Sequence, residues 1–253
     1  MTLKTDLKTI VIFGGTSDVA RECLIQWLKR GPLTIVLVGR SKASLDVTAA
    51  DLIIRYPASK FYTVVLDFNS AAAIGLVTKE IFNKYHVDIV LVAHGSLSDQ
   101  QRCSVDMQYC YNELISNGLS TCVIAEAVAT EFSARDKGIL AVIGSVAGDR
   151  GRRSNYTYGA AKSMVDTYCQ GLQHRLWNSN VQVSIIKPGP TLSSMTSHLS
   201  GQGVKLAEIS QVAATIVKGL RTNKKIIYSP SKWVLIMLVI KGLPRFIFNR
   251  LNI

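Results

Sequence analysis

The stretch TIVIFGGTSDVA, residues 9–20, decides the fold. Its first five residues are β-branched or aromatic and uncharged, the composition of a strand buried on both faces. Gly14 and Gly15 break that run, and from Val19 onward the apolar spacing has the period of a helix. A strand–glycine turn–helix unit offers backbone N–H groups and the positive end of a helix to a phosphate. That is the local chemistry of a dinucleotide pyrophosphate site. The loop is a degenerate version, because Asp18 and Ala20 stand where further glycines are expected. Alone, it fits an ordinary tight turn equally well.

Outward from this unit, apolar β-branched runs alternate with helical patterns. Strands are expected at residues 9–13, 34–39, 61–66, 89–93, 138–144 and 181–186, with a weaker seventh at 225–228. Helices are expected at 19–30, 42–56, 71–84, 104–132, 156–177 and 207–220. The alternation predicts one α/β domain, a doubly wound parallel sheet of about seven strands with helices on both faces. No Pro/Gly/Ser-rich linker or internal repeat divides it.

The 253 residues are 48% hydrophobic and 18% charged, enough apolar material for a large core and too little charge for disorder. Lys and Arg number 29 against 17 Asp and Glu, a net charge of +12. This favours anionic partners. Nucleic acid is not expected among them, since no recognition motif or aromatic-spaced basic patch accompanies the charge. Cys23, Cys103, Cys110, Cys122 and Cys169 form no Cys-x-x-Cys pair. A zinc site or disulfide framework is therefore not expected, and a reducing cytoplasmic setting is. The apolar run near the N-terminus is too short, and too soon broken by glycine, for a secretory signal.

Residues 1–229 read as the domain and 230–253 as a tail of different composition. Residues 233–240 are all apolar; Lys241, Gly242, Pro244 and the group Phe246, Ile247, Phe248 follow. After Glu208 there are eight basic residues and no acidic one. The apolar run falls short of the ~20 residues that span a bilayer. The tail therefore reads as a basic C-terminal amphipathic helix lying on a membrane surface. The alternative is a helix packed into a dimer contact or over the substrate pocket.

The second strand ends Gly39-Arg40-Ser41-Lys42. An acidic residue there would bind the ribose hydroxyls of NAD; an arginine favours the extra phosphate of NADP. Arg40 thus points to NADP(H) in preference to NAD(H), with a solvated surface arginine as the alternative. Asp67, after the third strand, is placed either to meet the adenine or to cap the next helix.

Ser145 follows the fifth strand, and thirteen residues later comes Tyr158-Gly-Ala-Ala-Lys162. On a helix, positions i and i+4 share a face. A tyrosine that gives a proton to a carbonyl oxygen near neutral pH works against a free pKa of ~10. A neighbouring lysine is expected to lower that value. Ser145 would hydrogen-bond the same oxygen. Tyr56 and Lys60 share the spacing, but Pro57 interrupts them and no strand-end serine precedes them, so they read as surface.

With these residues in view, the chain resembles the short-chain dehydrogenase/reductase family up to about residue 230. The resemblance rests on the loop from Gly14 to Ala20, Asp67, Val92-Ala93-His94-Gly95, Asn117, Ser145, Tyr158 with Lys162, and Lys187-Pro188-Gly189. It implies a Rossmann reductase with Asn117, Ser145, Tyr158 and Lys162 as the catalytic set, Asn117 anchoring a water in a proton relay. It further implies cofactor contacts from Gly14, Thr16, Ser17, Asp18, Val19, Arg40, Asp67, Ala93, Gly95, Pro188, Gly189 and Ser193, with Tyr158 and Lys162. A homo-oligomer is implied as well. The departures are Asp18 and Ala20 in the loop and Val92-Ala93-His94 where the family has Asn-Asn-Ala. His94 is read as structural, with contact to cofactor or substrate as the alternative.

Between serine and tyrosine lie Arg150, Arg152 and Arg153, and arginine forks suit phosphate. The bland reading is a solvent-facing loop. This segment and the tail resemble the decaprenylphosphoryl keto-ribose reductases. That resemblance implies reduction of a ketosugar on a polyprenyl phosphate at the cytoplasmic face of a membrane, with a flavin oxidase as partner. A fatty acyl or sphingoid ketone is the enzymatic alternative, and a non-catalytic dinucleotide-binding protein the other.

Overall fold

The computed structural model describes residues 8–197 and 205–251. In chain order the elements are β1 (Thr9–Phe13), α1 (Asp18–Leu28), β2 (Thr34–Gly39), α2 (Lys42–Arg55), β3 (Lys60–Val65) and α3 (Ala71–Lys84). Then come β4 (Val87–Val92), α4 (Gln100–Val105), α5 (Met107–Leu114), α6 (Ser120–Arg135) and β5 (Gly138–Ile143). α7 (Tyr156–Arg175), β6 (Val181–Pro188), α8 (Ile209–Arg221), β7 (Ile226–Ser229), α9 (Trp233–Gly242) and α10 (Arg245–Phe248) complete the chain. The strands form one sheet in the order β3-β2-β1-β4-β5-β6-β7, every pair parallel.

The continuous hydrophobicity of the strands is explained by a core on each face. Val11 and Phe13 of β1 point to one side, among Phe82, Val128, Phe132 and Leu172 from α3, α6 and α7. Ile10 and Ile12 point to the other, among Leu24, Leu45 and Ile216 from α1, α2 and α8. The chain runs from β1 outward to β3, then returns to β4 on the other side of β1. A crevice opens at the carboxyl ends of β1 and β4, where that reversal occurs.

The single helix expected over 104–132 is divided. Asp99 caps α4 by accepting from Arg102 N at 3.1 Å, and Asp106 starts α5 anew by accepting from Tyr109 N at 2.9 Å. A π-helical turn, Ile115–Leu119, then joins α5 to α6. The tail departs from a single amphipathic helix as well. α9 ends at Leu243-Pro244, α10 is one turn long, and Met237 is the residue of α9 that is buried. No helix among the described residues is long and apolar enough to cross a membrane.

Beneath the crevice lies a buried ion cluster. Lys187 Nζ, at the end of β6, donates to Asp149 Oδ1 at 2.6 Å and to Asp166 Oδ2 at 2.8 Å. The Tyr228 hydroxyl of β7 donates to Asp149 Oδ2 at 2.7 Å. Burial works against the Lys187 charge, but the two carboxylates outweigh it and its pKa is raised. The pair is therefore intact below the ordinary lysine range and lost only as pH climbs through it. Lys187→Met strands two interior carboxylates and should cost about 3–5 kcal/mol. The urea midpoint at pH 7 measures this; an unchanged midpoint would remove the cluster from any account of stability.

Candidate active site

A cavity of about 1020 Å³ occupies the crevice. It gathers Gly14, Thr16, Ser17, Asp18, Val19, Arg40, Ala93, Gly95, Asn117, Ser145, Tyr158, Lys162, Pro188, Gly189 and Ser193, which lie on well-separated parts of the chain. Tyr56 and Lys60 are not brought together on a helix: Tyr56 caps α2 and Lys60 opens β3.

At one end the glycine loop is latched to β2, Gly14 N and Gly15 N both donating to Val38 O at 2.9 Å. Gly14 has φ +92°, and a Cβ there would sit 2.5 Å from His94 N. Both the conformation and the close passage of the β4 end require glycine. Ser17 caps α1 by accepting from Ala20 N, so the helix N-terminus opens on the cavity. Asp18, at a position where the family has glycine, turns its carboxylate to Ser194 N at 2.7 Å. Its charge is answered by the loop after β6.

Asp67 is not the helix cap. Ser70 is, accepting from Ala73 N at 3.2 Å, while Asp67 Oδ1 takes Asn69 N at 2.9 Å. Phe68 and Asn69 of the same turn line the cavity, and Asp67 does not. His94 is buried and also lines it. Its ring stacks on Phe68 at 4.4 Å, and Nε2 lies 2.8 Å from Ser120 Oγ. Thr121 Oγ1 lies 3.3 Å from the same nitrogen, and Ser120 Oγ also donates to Ser116 O at 3.1 Å. Burial, then Lys162 and Arg40, push the imidazole pKa down to about 3, and it stays neutral.

The catalytic end is set by close backbone packing. The short 3₁₀ turn Val146–Asp149 follows Ser145, whose Oγ accepts from Ala147 N at 3.1 Å. A Cβ at Gly148 would lie 2.7 Å from the carbonyl carbon of Lys162, so this turn rests directly on α7. Asn155, at the start of α7, makes no side-chain cap. Gln100 takes that role from α4, accepting from Thr157 N at 2.8 Å and donating to Thr157 Oγ1 at 3.1 Å. It thereby holds the turn that bears Tyr158.

Lys162 Nζ donates to Ile143 O at 3.2 Å and lies 5.7 Å from the Tyr158 ring centre. The expected lowering of the tyrosine pKa is not found. Burial raises Tyr158 to about 12, with Ser145 pulling the other way. Burial also brings Lys162 down to about 8, against the opposing influence of Cys122 and Cys169. The same desolvation disfavours phenolate and ammonium alike. A phenol held protonated is suited to give a proton rather than to take one.

Asn117 sits inside the π turn with its amide fully engaged. Oδ1 accepts from Ser96 N at 2.9 Å, and Nδ2 donates to Glu113 Oε2 at 2.9 Å. Glu113 also accepts from Ser96 Oγ at 2.9 Å and Ser98 Oγ at 2.7 Å, fixing the loop after β4. The sequence reading missed Glu113 and Gln100. Glu113 stands four residues before Asn117, a spacing that could have flagged it; Gln100 carries no such signal.

The three arginines separate. Arg152 lines the cavity, and its Nε is buried with no hydrogen-bond partner among the described residues. Arg150 does not reach the cavity: its guanidinium is spent on the carbonyls of Ile240, Lys241 and Leu243 and stacks on Phe248 at 3.9 Å. Arg150 as a phosphate ligand is thereby corrected, because those carbonyls are the open end of α9 and attract a cation. Arg153 lies outside the cavity lining.

Residues 8–202 match the short chain dehydrogenase family. The chain is 30% identical over 250 residues to an uncharacterized oxidoreductase of Mycobacterium tuberculosis, 98% of each chain being covered. It is 28% identical over 247 residues to one of Streptomyces coelicolor, covering 96% of each. In fold it is similar to a short-chain dehydrogenase from Sphingobium yanoikuyae in complex with NADPH, with a TM-score of 0.81 at 20% identity, covering 94% of this chain and 97% of that one.

A Lys162 pKa of about 8 sets a pH limb. For carbonyl reduction, kcat/KM should be level below that value and fall tenfold per unit above it, as the ammonium deprotonates. Rate profiles from pH 6 to 10 read this directly. A limb that persists unchanged in Lys162→Met would assign it to another group.

Proposed function

Because the chain belongs to the short chain dehydrogenase family, we propose that it is an NADP(H)-dependent reductase whose keto substrate is a sugar on a polyprenyl phosphate, a precursor of the cell envelope. The catalytic half of this reading rests on Ser145, Tyr158 and Lys162 meeting at one end of the cavity. Tyr158 gives its proton to the substrate carbonyl oxygen, and Ser145 donates a hydrogen bond as charge develops there. The Lys162 ammonium stands beside the tyrosine to favour the phenolate that results. Asn117, fixed by Glu113, anchors the path by which the proton is replaced.

The residues fit a dinucleotide. The glycine cradle at Gly14, the N-terminus of α1 and Arg40 at the end of β2 would hold its adenosine and phosphates, and Pro188 and Gly189 its other end. When bound, NADPH supplies the hydride. Arg40, with no acidic residue in its turn, favours NADP(H) over NAD(H); the Sphingobium dehydrogenase of like fold carries NADPH.

Arg152 carries the anionic half of the reading. A partly buried guanidinium with an unsatisfied Nε, beside the catalytic groups, calls for an anion. A phosphate bound to the substrate's lipid answers that need, and a peripheral place on the cytoplasmic face of the membrane follows from such a substrate. A flavin oxidase would make the ketone.

The purified enzyme should oxidise NADPH with a polyprenyl-phosphoryl ketopentose in preference to a ketoacyl thioester. Tyr158→Phe should lose roughly 10²–10⁴-fold in kcat. Turnover of the ketoacyl compound alone would keep the catalytic set and remove the sugar. Arg40→Glu should raise the KM for NADPH about tenfold or more and leave NADH the better cofactor. An unchanged preference would assign the 2′-phosphate to other residues.

A further inference from the structure

α9 and α10 leave an unusually apolar face uncovered. Leu235 and Leu238 are each 69% exposed and Phe246 67%, in company with Val234, Val239 and Ile247. The same stretch carries Lys232, Lys241, Arg245 and Arg250, all exposed, and no acidic residue. Exposed apolar residues scattered singly need no explanation, but a contiguous patch with a polar rim marks an interaction surface.

This face is fixed to the cavity at both ends of α9. The Trp233 indole packs so closely on Gly189 that a Cβ there would collide with it. Arg152, in the cavity wall, directs Nη2 at Met237 Sδ at 3.7 Å. Arg150, just past the serine turn, holds the far end through the carbonyls of Ile240, Lys241 and Leu243. The patch and the cavity therefore keep one orientation to each other.

We propose that the α9–α10 face docks on an anionic bilayer and sets the cavity mouth at the lipid–water interface, so that an amphiphilic ketone is taken directly from the membrane. The last clause rests on the reductase reading; the docking does not. Charge chooses the occupant. Two copies packed through this face would bring Lys232, Lys241, Arg245 and Arg250 against their own equivalents, whereas anionic headgroups complement the basic rim while acyl chains receive the leucines.

Flotation of the full chain with phosphatidylcholine vesicles, with and without phosphatidylglycerol, tests the docking. The protein should float with the anionic vesicles and be released by high salt. The double variant Leu235→Glu/Leu238→Glu should lose at least about tenfold in vesicle affinity while reducing a water-soluble ketone as the unaltered chain does. Anionic vesicles should lower KM for an amphiphilic ketone and leave that for the water-soluble one unchanged. Failure of the intact chain to float, or flotation of the double variant, overturns the docking. So does a dimer that the double variant dissociates without any vesicle binding. Equal effects of vesicles on both ketones overturn the orientation of the cavity. A chain that floats but reduces nothing contradicts the reductase reading and leaves the docking standing.

Discussion

Lys187, buried at the end of β6, reaches Asp149 and Asp166 at 2.6 and 2.8 Å, and Tyr228 closes over Asp149. Each partner belongs to a different part of the catalytic end. Asp149 finishes the turn that begins after Ser145, Asp166 lies one helical turn beyond Lys162 on α7, and Lys187 immediately precedes Pro188-Gly189. The cluster draws these three segments to one point. Apolar residues of the same volume could fold as stably, since desolvation consumes much of what a buried pair returns. Its importance is geometric: directional bonds on three sides leave the serine turn one position on α7.

The cavity above that cluster drives its titratable groups toward their neutral forms. Tyr158 at about 12, Lys162 at about 8 and His94 at about 3 all follow from burial first. The interior thus offers a protonated phenol beside a lysine whose charge is lost just above neutral pH. Arg40 at the end of β2 and Arg152 after β5 both line the cavity and bring it positive charge from separate parts of the chain.

What the sequence makes legible follows from how local its cause is. The strands stand out because burial on two faces demands unbroken β-branched runs, and β1 and β2 fall where those runs fall. Tyr158 and Lys162 are legible because helix periodicity puts them on one face and a strand-end serine precedes them, which Tyr56 and Lys60 lack. Arg150 was misread because its partners are carbonyls roughly ninety residues away, and backbone acceptors have no signature in a sequence. The tyrosine pKa went astray for a related reason: proximity to a lysine can be read from spacing, but depth cannot. The segment 104–132 looked like one helix because its composition is helical throughout; the breaks come from two aspartate caps and one extra-wide turn.

That wide turn, Ile115–Leu119, also fixes the phase between α5 and α6. An α-helix advances about 100° per residue, so removing one residue to restore regular winding would rotate everything before it by nearly a third of a circle against everything after. Glu113 would swing off the loop it holds while the packing of α6 stayed in place. Length is therefore as constrained as identity here: a substitution at Ser116 changes one side chain, whereas a single-codon deletion beside it would reassign the faces of the whole α4–α5 segment.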